Sequence, residues 1–333
     1  MKKENPKMMD KRKAAERQIE PEPTTFLGKM YASWKAYQAK KKQKPEPKPF
    51  TGDWFVSWTK TIIGAIIVVM IINGLAIASF VVPTGSMENT VMTGDFLFVN
   101  KFIFGPSTPQ VVPFVNIPLP FLRFPGLREP RKGDVIVFIF PGYRDEIKAK
   151  EFQYYLKRCV AVAGDTLEIK NKRLFVNHIE YSIPTNGRFD PSIPLFDYNQ
   201  WQTFPPGKGF TRNDYGPVRI PKKGDIIRLN QQNLREWFIF ICREGHEVTS
   251  DGTNIFIDGK VMTSYKVERD YCFGMGDNRD NSLDSRYWGF IPVENVVGTP
   301  LIVYWSWDTN LPLSNIFGKL TTIRWGRLGT LIN

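Results

Sequence analysis

Apolar residues are spread unevenly along this chain, and their spacing changes character once. From Ile62 to Val82 there are 21 residues without a charge. At 1.5 Å per residue that is about 31 Å of helix, enough to cross a bilayer. Trp54 and Trp58 precede the run and suit a membrane interface. A cleaved signal peptide has a shorter apolar core and a much shorter leader, so the pattern predicts a retained spanning helix. Upstream, residues 1–50 are rich in Lys, Glu, Pro and Gln and read as a solvated tail. Within it, Ala32 to Lys44 suits a short basic helix, followed by a proline-rich linker.

After Ser86 the helical run gives way to strand-like stretches. Gly94-Asp95, Gly133-Asp134, Gly164-Asp165 and Gly224-Asp225 each lead into an apolar, β-rich stretch, which reads as a repeated strand-entry turn. No long helical period follows residue 90, so a mostly antiparallel β domain is expected. Residues 102–127 carry five phenylalanines and six prolines. Prolines at that density discourage helix and central strand alike, leaving the core or the bilayer to cover the rings. Residues 180–265 read as a secondary β region, with Asp258-Gly259 as a hairpin turn and Ser182 to Pro217 as a long loop. Pro300 to Trp307 is the last strand candidate and is too short to span a membrane again.

The formal charge of +12 narrows the picture only through its distribution. Residues 1–60 hold fifteen Lys/Arg against seven Asp/Glu. A basic flank ahead of an apolar segment fits the positive-inside rule, which places the N-terminus in the cytoplasm and residues 84–333 outside. Zinc-knuckle, helix-turn-helix and RNA-binding signatures are missing, so nucleic acid is not an expected partner. Cys159, Cys242 and Cys272 make no complete disulfide framework and lack C-x-x-C spacing. His178 and His246 lack metal-ligand spacing, so neither a metal nor another cofactor is expected.

Three stretches carry candidate chemistry. Ser86 lies four residues beyond the apolar run, in Pro83-Thr84-Gly85-Ser86-Met87. A serine in such a turn most often serves the turn itself, and a nucleophilic serine needs a base. Two histidines in ordinary contexts give a Ser-His-Asp triad poor support. Lysine can act as base when burial lowers its pKa. Lys157 would share one strand face with Tyr155, Cys159, Ala161 and Ala163, while Arg158 points the other way. The third stretch, Gly274 to Pro292, is dense in Asp, Asn, Arg and Ser beside apolar strands. It suits a loop braced by ion pairs, with a hydroxyl able to orient an amine.

Together these stretches resemble the sequence boxes of bacterial type I signal peptidase, the membrane-anchored Ser-Lys leader peptidase. Residues 83–87, 157–165 and 276–286 match the boxes in order. The resemblance implies a mainly β fold of packed antiparallel sheets preceded by one transmembrane helix. It implies Ser86 as nucleophile and Lys157 as general base, with the Ser86 amide and Thr84 hydroxyl as oxyanion hole. Ser282 would orient the lysine, and Met87 would line the site. Asp277, Asp284, Arg158, Arg279 and Arg286 would be structural ion pairs. Where the family has x-Pro-Thr after its Ser-Met, this chain has Glu88-Asn89-Thr90.

The expected division is a basic cytoplasmic tail and linker (1–58), a transmembrane helix (59–82) and a catalytic β domain in two parts (83–179 and 255–333). Residues 180–254 are read as an inserted secondary β region. The resemblance implies a single-pass protein of the bacterial inner membrane with its catalytic domain on the periplasmic side. Its expected partners are signal peptides of secreted preproteins, the lipid bilayer and the secretion translocon. A Ser-Lys peptidase with few clients and a catalytically silent, membrane-tethered β-domain binding or assembly factor are the competing readings. The intact Ser86, Lys157 and Ser282 speak against the silent one.

Overall fold

A computed structural model describes residues 25–42, 49–106, 123–182, 184–189 and 203–332. The chain divides into two compact units, Met1–Ile66 and Ile67–Asn333. In the first, the basic helix α1 covers Phe26–Lys42 and so begins earlier than expected. Thr25 starts it, its Oγ1 accepting the Gly28 N–H at 3.2 Å. The second helix, α2, runs Gly52–Leu75 and crosses the boundary between the units. Its stretch Gly52–Met70 is long and apolar enough to span a bilayer.

The apolar run is divided, which corrects the expected helix of residues 59–82. Helix α2 starts at Gly52 and stops at Leu75, and Ile77–Val81 forms strand β1. The reason is a partner: β1 pairs antiparallel with β2 (Asp95–Asn100), with Ile77 opposite Asn100 and Val81 opposite Phe96. Ile77, Phe80 and Val81 are residue types that fit a pleated ladder at least as well as a helix.

Further strands are β3 (Val135–Ile139), β4 (Tyr154–Val162), β5 (Thr166–Lys170), β6 (Arg173–Val176), β7 (Ile179–Glu180), β8 (Tyr215–Arg219) and β9 (Ile226–Arg228). Helix α3 (Leu234–Arg243) comes next, then β10 (Val248–Ser250), β11 (Ile255–Ile257), β12 (Lys260–Val261), β13 (Ser264–Lys266) and β14 (Tyr271–Met275). The chain ends with α4 (Ser285–Trp288), β15 (Ile291–Pro292), β16 (Val296–Ser306) and α5 (Ile316–Leu320). Among the described residues the main sheet has the order β1-β2-β16-β3-β4-β14-β15, with neighbours antiparallel. A second sheet has the order β7-β6-β5-β8.

All four Gly-Asp turns lead into strands, and they share one construction. Gly94, Gly133, Gly164 and Gly224 have φ of 87°, 98°, 91° and 90°, a region open mainly to glycine. Each following aspartate then accepts the amide N–H three residues back: Met92, Arg131, Val162 and Lys222. Glycine turns the chain, and aspartate satisfies the amide that the turn would leave unpaired.

Two readings of the 180–265 stretch change. Helix α3 contradicts the expectation of no helix there. Its apolar side, with Leu234, Trp237, Phe240 and Ile241, packs on the core at helical spacing. Strand β8 lies in what read as loop, because Leu167 of β5 offers Val218 a partner. The region is also not set apart: Val160, Phe204, Val218, Phe240, Tyr271 and Phe290 share one cluster. Of the Pro/Phe stretch, Phe104 is buried while Phe102 and Phe124 are exposed. Phe114 and Phe121 lie outside the described residues. All three cysteines are free thiols.

Candidate active site

Strand β1 leads directly to the serine. Its ladder continues past its end, with Val82 N–H donating to Asp95 C=O (2.9 Å) and Gly94 N–H to Val82 C=O (2.8 Å). Pro83 and Thr84 then leave the sheet, and Gly85–Met87 forms a single 3-10 turn closed by Glu88 N–H on Gly85 C=O at 3.1 Å. Met87 anchors this turn from beneath. It is 1% exposed and packs with Val82, Leu97, Val99 and Val137. Ser86 is thus held on a rigid floor and is itself buried.

Lys157 sits at the centre of β4, between β3 and β14. Its amine donates to Ser86 Oγ at 2.7 Å and to the Leu156 carbonyl at 3.1 Å. The side chain is 4% exposed, and burial pulls its pKa from 10.5 down to about 8. Asp284 and Asp277 oppose that shift, and Arg286 adds to it. A pKa near 8 leaves about one-tenth of the amines neutral at pH 7 and most of them neutral at pH 9. A neutral amine with a lone pair 2.7 Å from a serine oxygen can take the hydroxyl proton.

The third stretch wraps the pair. Gly276 passes so close that an added Cβ would meet Ser282 Oγ at 2.2 Å and Ser86 C=O at 2.5 Å. Only glycine fits there. Arg158 grips Asp277 with two bonds of 2.8 Å, and Thr90 Oγ1 donates to the same carboxylate at 2.6 Å. Arg286 grips Asp284 likewise, with both bonds at 2.9 Å. Asp284 also accepts the Gly276 and Arg286 N–H groups, so it locks the loop and caps α4.

Not every expected residue takes its expected contact. Thr84 Oγ1 lies 3.5 Å from Ser86 Oγ. Ser282 is buried, but its Oγ has no hydrogen-bond partner among the described residues, so the expected bond to Lys157 is not formed. The Leu156 carbonyl orients the amine instead. Arg279 makes no ion pair among the described residues. Its Nε and Nη2 are buried without partners, and burial brings its pKa down to about 10. Its backbone donates to Arg188 C=O and accepts from Arg286, and its guanidinium feels the charges of Asp284 and Asp277 without a direct bond among the described residues.

A groove of about 810 Å³ opens at the pair, with Ser86 and Lys157 in its wall. Phe80, Val82, Leu97, Val137, Tyr155 and Leu156 supply an apolar lining, and among the described residues no histidine lines it. Reasoning from the sequence missed these walls, though Leu97 and Val137 stand at fixed distances after two Gly-Asp turns. It also missed Asn278, which donates from its side chain to Gly85 C=O and from its amide to Ser86 C=O.

A buried serine hydroxyl bonded to a desolvated lysine, at the head of an apolar groove, is the arrangement that a serine hydrolase with a lysine base requires. Comparison with known proteins makes the class specific. Residues 55–305 match the model of the family described as signal peptidase, peptidase S26, and the chain belongs to that family. It is 28% identical to signal peptidase I of Helicobacter pylori strain 26695, covering 80% of this chain and 89% of that protein. Against the same enzyme of strain J99 it is 30% identical at the same coverage. Signal peptidase I of Pseudomonas aeruginosa is 27% identical over 76% of this chain and 75% of its own. A solved signal peptidase I from Enterococcus faecalis V583 overlaps 52% of this chain and 97% of its own, at 20% identity and a TM-score of 0.24. Membership makes this protein a type I signal peptidase, a serine endopeptidase of signal peptides that is anchored in a membrane.

Proposed function

We propose that Ser86 is the nucleophile and Lys157 the general base with which this chain cuts signal peptides from exported preproteins. The 2.7 Å contact between the buried amine and the serine hydroxyl is the observation that carries this reading. Ser86 Oγ attacks the scissile carbonyl as its proton passes to Lys157 Nζ. The oxyanion is held by the Ser86 N–H and the Thr84 hydroxyl. The resulting ammonium protonates the leaving amine, and the ester left on Ser86 is hydrolysed by a water that Lys157 deprotonates.

The groove suggests how substrate is held. Among the described residues β1 is an edge strand, and Ser79 to Val82, at and just past its end, line the groove beside Gln153 to Leu156. An extended peptide would pair with such an edge and place alternate side chains on the apolar lining. Asp277, Asp284, Arg158 and Arg286 act at one remove, by holding the loop that carries Gly276 and Asn278.

The basic residues ahead of α2 support a cytoplasmic N-terminus and a catalytic unit on the extracytoplasmic side of the bacterial inner membrane. Ser86 lies eleven residues beyond the end of α2 at Leu75, at most about 40 Å of extended chain. A tether of that length keeps the nucleophile within reach of the outer membrane surface, where lipid and translocon would deliver the cleavage site.

The pH dependence of kcat/KM tests the role of Lys157. Its neutral form is the active one, so kcat/KM is expected to rise about tenfold per pH unit below about 8 and to level off above it. A flat profile from about pH 6 to 9 would remove Lys157 as the base.

A further inference from the structure

The place where this chain departs from its family's pattern is also where the region between β7 and β8 touches the nucleophile turn. Residue Arg188 lies beside Asn278 in a parallel bridge. Its N–H donates to Asp277 C=O at 2.8 Å, and its C=O accepts the Arg279 N–H at 2.9 Å. Its guanidinium reaches Glu88 Oε2 at 3.7 Å. Glu88 is the second residue after Ser86, and its carboxylate accepts Asn278 Nδ2 at 3.2 Å. The same Nδ2 donates to Gly85 C=O at 3.2 Å.

Two features give this chain of contacts a consequence. Among the described residues Asn278 Oδ1 is buried without a partner, so there the carboxamide is oriented through its nitrogen. Both acceptors, Gly85 C=O and Glu88 Oε2, bind that one nitrogen and use both of its hydrogens. In a trans peptide the C=O and the next N–H point opposite ways. The Gly85 carbonyl, held by Asn278 Nδ2 and by the Glu88 N–H that closes the turn, therefore turns the Ser86 N–H away from Asn278. Asn89 has φ of 77°, which a proline cannot adopt, so the Glu88-Asn89 pair builds a turn that the family's x-Pro could not.

From this we infer that Glu88 is a positioning residue. With Arg188 as its counter-ion, it holds the Asn278 carboxamide on the Gly85 carbonyl and so sets the aim of the Ser86 amide at the oxyanion. The segment carrying Arg188 thereby reaches the chemistry without touching substrate. The inference rests on the reading of Ser86 as nucleophile and oxyanion donor.

The test compares wild type, Glu88→Ala, Glu88→Gln, Arg188→Ala and Ser86→Ala in detergent. It measures kcat and KM on a preprotein and the affinity for a peptide boronic acid, which mimics the oxyanion on serine. Glu88→Ala is expected to lower kcat about tenfold, to leave KM within about twofold, and to weaken the boronate by the same factor as kcat. Glu88→Gln recovers most of the loss, because its amide oxygen can accept from Asn278. Arg188→Ala loses about threefold, and high salt reduces that difference because the ion pair is partly exposed. If Glu88→Ala keeps kcat within twofold of wild type, the inference is overturned. It is equally overturned if kcat falls while boronate affinity holds. Should Glu88→Ala fail to fold, Arg188→Ala and Glu88→Gln decide by the same two readouts. Cleavage by Ser86→Ala would instead sink the nucleophile assignment, so the two failures are distinguishable.

Discussion

A Lys157→Met variant is expected to lose at least about four orders of magnitude in kcat/KM and yet to be more stable than wild type. The loss follows from removing the only amine bonded to Ser86 Oγ among the described residues. The gain follows from burial. The folded state lowers the pKa of Lys157 from 10.5 to about 8, chiefly by desolvation. Between those values the unfolded chain holds a proton that the folded chain has released, so wild-type stability rises with pH across that window. Below about pH 8 the penalty for burying the amine is present in full, on the order of 3 kcal/mol by this linkage. Methionine fills similar space with no charge to desolvate. Urea unfolding at pH 7 and pH 10 checks the result: the variant's advantage is expected at pH 7 and shrinks toward pH 10. An equal or lower stability at pH 7 would mean that the site does not strain its lysine.

The second large effect concerns the ion pair beneath the loop. Arg158→Leu leaves the Asp277 carboxylate, which is 0% exposed, without its cation. Removing one partner of a buried pair typically costs about 3–5 kcal/mol, because the remaining charge is left uncompensated. Asp277 also accepts from Thr90, and its N–H donates to Met87 Sδ at 3.3 Å, so the damage would reach Met87 in the nucleophile turn and Thr90 just after it. The double variant Arg158→Met with Asp277→Leu is expected to regain most of the lost stability. Denaturant melts of the two variants check this. A loss under about 1 kcal/mol for Arg158→Leu would show that water or another group screens Asp277.

Much of this was legible in the chain because the responsible signals are local. A Gly-Asp turn needs two adjacent residues, and all four announced their strands. Asp258-Gly259 turns a hairpin with φ of 51° and 74°, as that pair commonly does. Ser86, Lys157, Asp277 and Asp284 stand out within their stretches, and the ladder brings β4 and β14 together with Gly274 opposite Cys159. What stayed hidden depends on partners distant in sequence. Nothing in Ile77–Val81 itself says strand rather than helix; β2 decides it. Helix α3 reads as strand in composition, with Trp, Phe and Ile crowded together, until its spacing is set against the core. The stretch around Ser282 named a hydroxyl near the amine but not its direction, and that hydroxyl turns out unbonded. Glu88 looked like a lost proline turn, and its contact with Asn278 links residues 190 positions apart.

The central claim is that Ser86 performs the cleavage. Wild type and Ser86→Ala, both reconstituted in liposomes, are given a preprotein carrying an intact signal peptide, and the new N-terminus is read by mass spectrometry. Wild type is expected to cut after a small residue, and Ser86→Ala to melt as wild type does while yielding no product. Product from Ser86→Ala at a rate near that of wild type would contradict the account.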